Sequence, residues 1–459
     1  MAIASINPAT GETVRTFPTF SSAEIEKRLD LTAKAAKAWR RAPISARTSV
    51  VRAMGDVLLR DREKFARLMT LEMGKPIKSA RDEVTKCAGA CHWFAEHAQA
   101  MLAPEDVAMD KGERARVEFH PIGPVLAVMP WNFPFWQVIR FAAPAICAGN
   151  VGLLKHASNV PQCALALEEL AREAGAPDGV FQTLLIGSEA VEAVIADHRV
   201  EAVTLTGSNA AGASVGAAAG KAIKKSVLEL GGSDPFIVMP SADVEKAGET
   251  AVKARAINNG QSCICAKRFI VHERVWEKFV EQFVSRFSSL VVGDPTDEKT
   301  DIGPLATEKI RAELHEQVTK SVSMGATVLL GGEVRSGKGW FYEPTVIVDA
   351  PHDAPVLREE TFGPVAAIER ARDASHALEL ANDSQFGLGA AIWTNDEAEA
   401  TRFTSALDAG TVVVNGMVAS DARLPFGGVK RSGYGRELAD FGMREFLNIK
   451  TIRLPAPLP

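Results

Sequence analysis

Cysteine is scarce: six in 459 residues, at positions 87, 91, 147, 163, 263 and 265. Thiols so few and so scattered do not make the disulfide framework of an extracellular scaffold, and a reducing compartment, the cytoplasm, is expected. Long apolar runs are missing too. FAAPAICAG, Phe141 to Gly149, falls far short of the roughly twenty residues that cross a bilayer, so no membrane partner is expected. The start, MAIASINPATGETV, has neither a basic opening nor a continuous apolar stretch, which excludes a recognisable secretory signal. Nor is there a cationic excess: 52 lysines and arginines against 57 acidic residues leave a net charge of −5. Without a basic stripe, nucleic acid is not an expected partner.

What is present is globular. Hydrophobic residues make up 46% and charged residues 24%, and the length exceeds what one core accommodates, so two or three domains are expected. The first hundred residues read as helices. Ser21 and Glu24 form a capping-box pattern for a helix to Arg41, Thr48 to Leu71 continues in helical period to a stop at Gly74, and Glu83 to Met101 is a third. The texture then changes to short Val/Leu/Ile runs alternating with helical segments. PVLAVMP (124–130), GLLK (152–155), VFQTLLIG (180–187), AVTLTGS (202–208) and KSVLELGG (225–232) read as strands buried on both faces, with helices at Val160–Gly175 and Asn209–Lys221. A second such block runs from FIVM (236–239) to TVVVN (411–415), with helices at Val275–Leu290 and Thr307–Met324. The pattern predicts an α/β protein with two doubly wound parallel sheets, joined near Gly231–Pro235.

The chemistry-bearing residues sit in the turns between these elements. No strand ends in GxGxxG, but LTGSNAAG places Gly207 and Ser208 at a helix start and Gly212 inside the helix, where free amides suit a phosphate as readily as a plain cap. In PWNFP, two prolines fix the backbone around Asn132 and make its amide a rigid donor of the kind an oxyanion hole uses. Glu229 ends an apolar strand before two glycines; a carboxylate placed there is costly to desolvate and is a candidate general base. Lys155 and Ser158 follow another strand end, and Glu360 precedes a Phe-Gly-Pro turn. NNGQSCICAKR holds Cys263 and Cys265 in a polar loop. No second CxC, CxxC or HxxxH supplies the further ligands of a metal site, and a bridge between residues two apart is strained. A lone nucleophile is better supported.

The order PWNFP, LKxAS, TGSxxxG, ELGG, GQxC, EExFGPV and PFGGVKRSGYGRE resembles the aldehyde dehydrogenase superfamily along essentially the whole chain. SDPFIV, LLKHA, ASDAR and FGGVKRSGYGREL resemble, more narrowly, the short bacterial succinate-semialdehyde dehydrogenases. The resemblance implies a cofactor-binding domain of residues 1–106 and 122–231, a catalytic domain of 232–432, and a small β oligomerisation arm of 107–121 and 446–459 that builds a homodimer or homotetramer. It implies Cys263 as the nucleophile attacking an aldehyde, Asn132 as oxyanion donor and Glu229 as activator of the hydrolytic water. Pro130, Trp131, Lys155, Ser158, Gly207, Ser208, Gly212, Leu230, Glu360 and Phe362 are the implied cofactor residues. The position of Ser158 is glutamate in many NAD-preferring members; serine there implies that NADP is accepted and preferred, beside NAD.

For a substrate with a distal carboxylate, Arg140 matches an arginine of the succinate-semialdehyde members and Ser420 a serine used with it, with Trp136 beside them. A second arginine of some relatives is replaced by Ile257, and Arg255 or Arg423 is the expected substitute. Some relatives close the same CxC under oxidation, which implies Cys265 as a redox partner. Glutarate semialdehyde, another aliphatic aldehyde and glyceraldehyde 3-phosphate are the alternative substrates. A catalytically dead structural relative would have lost Cys263, Glu229 or Asn132, and all three are present.

Overall fold

The computed structural model describes residues 3–110 and 113–455. Two large sheets organise it. The first has the strand order Gly433–Tyr434, Lys225–Glu229, Ala202–Thr206, Pro124–Met129, Val151–His156, Phe181–Thr183. All pairs are parallel except the short Gly433–Tyr434, which runs antiparallel to Lys225–Glu229. The central strands are buried on both faces, which is why they read as continuous Val/Leu runs instead of alternating ones. From Pro124–Met129 the chain winds outward to Phe181–Thr183, then crosses back to the other side for Ala202–Thr206. This reversal opens a crevice beyond the carboxyl ends of the two strands it separates, the usual ligand position in such sheets.

The second sheet has seven strands, in the order Thr327–Leu330, Thr345–Val348, Val365–Ala371, Ala266–His272, Asp234–Val238, Gly389–Trp393, Thr411–Val414. Only the first of these is antiparallel to its neighbour. The chain passes from one sheet to the other through Leu230–Ser233. Space there is short: a side chain on Gly231 would meet Glu360 Oε2 at 2.4 Å, and one on Gly232 the Cys263 carbonyl oxygen at 2.5 Å. The carboxyl end of one sheet thus faces the amino end of the other.

A third, antiparallel sheet joins Glu105–Ala108, Arg114–Pro121 and Leu447–Leu454, in register from Leu447↔Pro121 to Leu454↔Arg114. Residues 111–112 and 456–459 of the expected oligomerisation segment lie outside the described residues.

Several elements differ from expectation. The helix expected over Thr48–Leu71 begins at Ile44 and is broken at Asp61 into Ile44–Arg60 and Arg62–Met73, ending as expected at left-handed Gly74. The next helix starts at Ile77, directly after Pro76, and not at Glu83. Of 180–187 only Phe181–Thr183 is a strand. Trp136–Ala148 is a fully buried helix despite Pro144 within it. Its first turn is capped from outside, since Glu83 Oε1 accepts the N–H groups of Phe135 (3.0 Å) and Trp136 (2.9 Å). No helix of the described residues is long and apolar enough to cross a membrane.

Candidate active site

After the helix Val244–Ala256 the chain turns through three consecutive left-handed residues, Asn258 (φ 56°), Asn259 (φ 59°) and Gly260 (φ 73°). Asparagine tolerates this conformation better than most residues, and here both side chains repay it with hydrogen bonds. Asn259 Nδ2 donates to the carbonyls of Gly74 and Pro304 (both 3.0 Å), and its Oδ1 accepts Gly303 N–H (2.8 Å). Asn258 Nδ2 donates to Asn132 O (2.7 Å) and Gln261 O (2.9 Å). Asn132 Nδ2 in turn donates to Gln261 O at 3.2 Å. Three loops from distant parts of the chain are tied together, and Cys263 projects from the knot.

Cys263 lies where two cavities meet. One, of about 530 Å³, is lined by Pro130, Trp131, Gly207, Ser208, Leu230, Glu360 and Phe362, among others. The other, of about 210 Å³, has Trp136, Arg140, Ser420 and Lys86 in its wall. Asn132 borders the first beside Cys263. Burial pushes the Cys263 thiol up to about 12, against the pull of the Arg140 and Lys267 cations. Its backbone N–H has no hydrogen-bond partner among the described residues. The Cys263 carbonyl accepts Lys267 Nζ at 2.8 Å.

In the larger cavity, Ser208 caps the helix Asn209–Lys221 by accepting Ala211 N–H at 3.3 Å, so the helix start opens on the cavity. Leu230 and Gly231 form part of the wall. Glu360 accepts Gly232 N–H at 3.0 Å and faces Lys267 Nζ at 3.5 Å. Burial raises its carboxyl, and Lys267 opposes the rise. Phe362 packs edge-on against Trp131, ring centroids 5.7 Å apart. Gly212 is not on the wall: a side chain there would strike Leu230 at 2.5 Å, so this glycine brings the helix close to Leu230. Half-buried Lys155 and exposed Ser158 also lie off the wall, at the carboxyl end of Val151–His156.

Glu229 is buried, and neither carboxylate oxygen has a hydrogen-bond partner. Desolvation raises its carboxyl well above the ordinary range; the charge of Glu437 adds to this and Arg140 opposes it. The carboxyl lies against Gly427 and borders neither cavity.

The substrate-side residues are arranged differently from expectation. Arg140 pairs with Glu437 through Nε and donates from Nη2 to Thr206 Oγ1 at 3.0 Å. Arg255 is spent on the carbonyls of Ala266, Gly260, Thr361 and Gly363 and is absent from the cavity wall. Arg423 is exposed and paired with Asp421, out in a vestibule of about 250 Å³. Ser420 Oγ accepts Trp136 Nε1 at 3.1 Å and Lys86 Nζ at 2.8 Å. Cys265 turns away from both cavities, its Sγ 3.5 Å from Ile257 O.

Lys86, Thr206, Lys267 and Glu437 were not singled out from the sequence. Glu437 had a local signal as the closing glutamate of PFGGVKRSGYGRE, and Thr206 as the threonine of TGSxxxG.

The Aldehyde dehydrogenase family matches residues 1–452. The succinate-semialdehyde dehydrogenase [NADP(+)] 1 of Mycobacterium tuberculosis (strain ATCC 25618 / H37Rv) is 53% identical over 454 residues, 98% of this chain and 99% of that one. The structure of succinic semialdehyde dehydrogenase from Streptococcus pyogenes in complex with NADP+ superposes with a TM-score of 0.97 at 37% identity, over 99% of this chain and 100% of that one. For the succinate-semialdehyde dehydrogenase from Burkholderia pseudomallei the values are 0.96 and 34%, over 99% and 94%.

Proposed function

The chain belongs to the aldehyde dehydrogenase family, and from that premise we propose that it oxidises succinate semialdehyde to succinate, with NADP as the preferred acceptor and NAD as a second. One observation carries the reading: Cys263 stands in the wall between a nucleotide-sized cavity and a small one containing cations.

The larger cavity fits the cofactor. Gly207 lines this cavity at the start of a helix whose free amides and dipole suit a pyrophosphate. Glu360 offers a carboxylate to a ribose, and Phe362 and Trp131 give a flat apolar wall to a ring. Ser158, uncharged and exposed beside Lys155, leaves a 2′-phosphate unopposed, where a glutamate would repel it. When bound, the nicotinamide supplies the hydride-accepting carbon.

The chain's own groups do the rest. Cys263, as thiolate, adds to the aldehyde carbon, helped by the Arg140 and Lys267 cations against a site that favours the thiol. The Asn132 amide and the unpartnered Cys263 N–H hold the oxyanion that forms. Loss of hydride leaves a thioester on Cys263. Glu229 swings from Gly427 toward Cys263, takes a proton from water and so directs hydroxide onto the thioester carbon. The C–S bond breaks, the acid and the Cys263 thiolate are released, and Glu229 passes its proton to solvent. At the other end, the small cavity takes the distal carboxylate near Ser420.

Exposed Val107, Phe441 and Ile449 on and beside the three-stranded sheet support assembly there as a homodimer or homotetramer in the cytoplasm. The test is nicotinamide reduction by purified protein with succinate semialdehyde or butanal, each with NADP and NAD. A preference for the semialdehyde with NADP is expected; equal rates on both aldehydes would withdraw the substrate.

A further inference from the structure

The three cations in the wall of the smaller cavity are Lys75, Arg140 and Lys86, and its carboxylates are Glu83 and Asp82, the latter one helical turn before Lys86. Two of them are already compensated. Lys75 is ion-paired with buried Glu83, and Arg140 with buried Glu437. Lys86 has no carboxylate within ion-pair distance among the described residues; its ammonium touches a neutral hydroxyl, Ser420 Oγ, at 2.8 Å. Lys86 is an exposed residue of the helix Ile77–Met101, and its ammonium makes this contact in a part-buried setting. There the ammonium sits 4.2 Å from the centroid of the Trp136 ring.

A lysine held in this way has given up part of its hydration without gaining a counter-ion. Desolvation lowers its pKa to about 8, with Arg140 acting in the same direction and Glu83, Cys87 and Asp421 against it. Ser420 is arranged to match. Its oxygen accepts from both Lys86 Nζ and Trp136 Nε1, so the hydroxyl's own hydrogen remains to be donated elsewhere. Lys86, Trp136 and Ser420 also form the partition between the cavity and the outer vestibule, at the mouth, where a substrate with its aldehyde at Cys263 carries its far end.

We propose that Lys86 is the specificity-determining cation of this enzyme: with the Ser420 O–H it forms the seat for the distal carboxylate of the substrate. Arg140 supplies a fixed positive background, its Nε and Nη2 held by Glu437 and Thr206. The role expected of Arg255 or Arg423 falls to a residue 169 or more positions away in the chain. The inference rests on the proposed carboxylate-bearing substrate and deepens it.

The test uses full-length Lys86→Met and Lys86→Arg with succinate semialdehyde and with butanal, its uncharged counterpart of equal length. Loss of a charge-assisted hydrogen bond lowers kcat/KM for the semialdehyde by roughly ten- to a hundredfold, mainly through KM. The semialdehyde-to-butanal ratio falls with it, and Lys86→Arg restores most of the ratio. In the wild type, KM for the semialdehyde rises above a pH of about 8 as the ammonium is lost; in Lys86→Met it is high and flat. A Lys86→Met enzyme that keeps the wild-type ratio and pH profile overturns the proposal, and so does one that loses both substrates equally. A wild type without preference for the semialdehyde overturns the substrate reading itself and the carboxylate seat with it, a failure visible before any variant is made.

Discussion

Arg140, in the wall of the smaller cavity, is ion-paired with Glu437, a residue almost three hundred positions later, and both side chains are buried. The pair makes Arg140 a structural group as well as an electrostatic one. Arg140→Ala leaves Glu437 charged and unpaired, which costs about 3–5 kcal/mol of stability for a buried pair. The double variant Arg140→Met/Glu437→Leu should recover most of the urea midpoint while remaining poor on succinate semialdehyde. A single variant as stable as wild type would show that the pair is dispensable.

Glu229→Gln separates the two halves of the reaction. Hydride transfer requires Cys263 and Asn132 but not the water activator. A first turnover of nicotinamide reduction is therefore expected at near wild-type amplitude in rapid mixing, with steady turnover lowered about a hundredfold or more. Loss of the first turnover would assign Glu229 to the earlier step.

Asp234 gives a pH dependence of stability. It opens the first strand of the second sheet, and burial raises its carboxyl to about 7 even with Lys267 near. A carboxyl raised in the native state binds its proton more tightly than in the unfolded chain. Its stabilising contribution is complete below the unfolded value near 4 and is lost as pH rises to and through about 7. The full loss is at most about 4 kcal/mol. Asp234→Asn keeps an acceptor for Gly389 N–H, which Oδ1 binds at 3.1 Å, and should flatten the decline in urea midpoint between about pH 4 and pH 7. A parallel decline in both proteins would assign it to other groups.

Ser158→Glu tests the cofactor reading. The added carboxylate should raise KM for NADP about tenfold, as expected of a like charge near a phosphate in a partly solvated site, and change KM for NAD less than about threefold. Equal changes would place the adenosine ribose elsewhere.

The parallel strands were legible because burial on both faces leaves unbroken Val/Leu/Ile runs, and Asn209–Lys221 because Ser208 marks its start. Trp136–Ala148 was not, since Pro144 argues against a helix that tertiary burial nonetheless enforces. Cys263, Asn132, Glu360 and Phe362 stood out in short motifs, and the fold brings them to one cavity wall. Lys86 and Lys267 carry no local signature, and Thr206 stands in TGSxxxG with nothing to mark its role; their partners Ser420, Glu360 and Arg140 come from elsewhere in the chain. Arg255 misled through nearness in sequence to Cys263: the left-handed turn at Asn258–Gly260 directs it onto backbone carbonyls.

The chain leaves the first sheet at Glu229, builds the whole second sheet, and returns at Gly433–Tyr434 to pair with Glu229 and Leu228, the residues it left from. Ser432 closes the join, its carbonyl accepting Leu230 N–H at 3.0 Å and its hydroxyl donating to Gly231 O at 2.7 Å. Topologically the second sheet is a loop drawn shut at its neck. Neither layer can melt without unzipping the other's seam, so heat should remove both in one calorimetric transition, and a protease cut between them should leave the pieces associated.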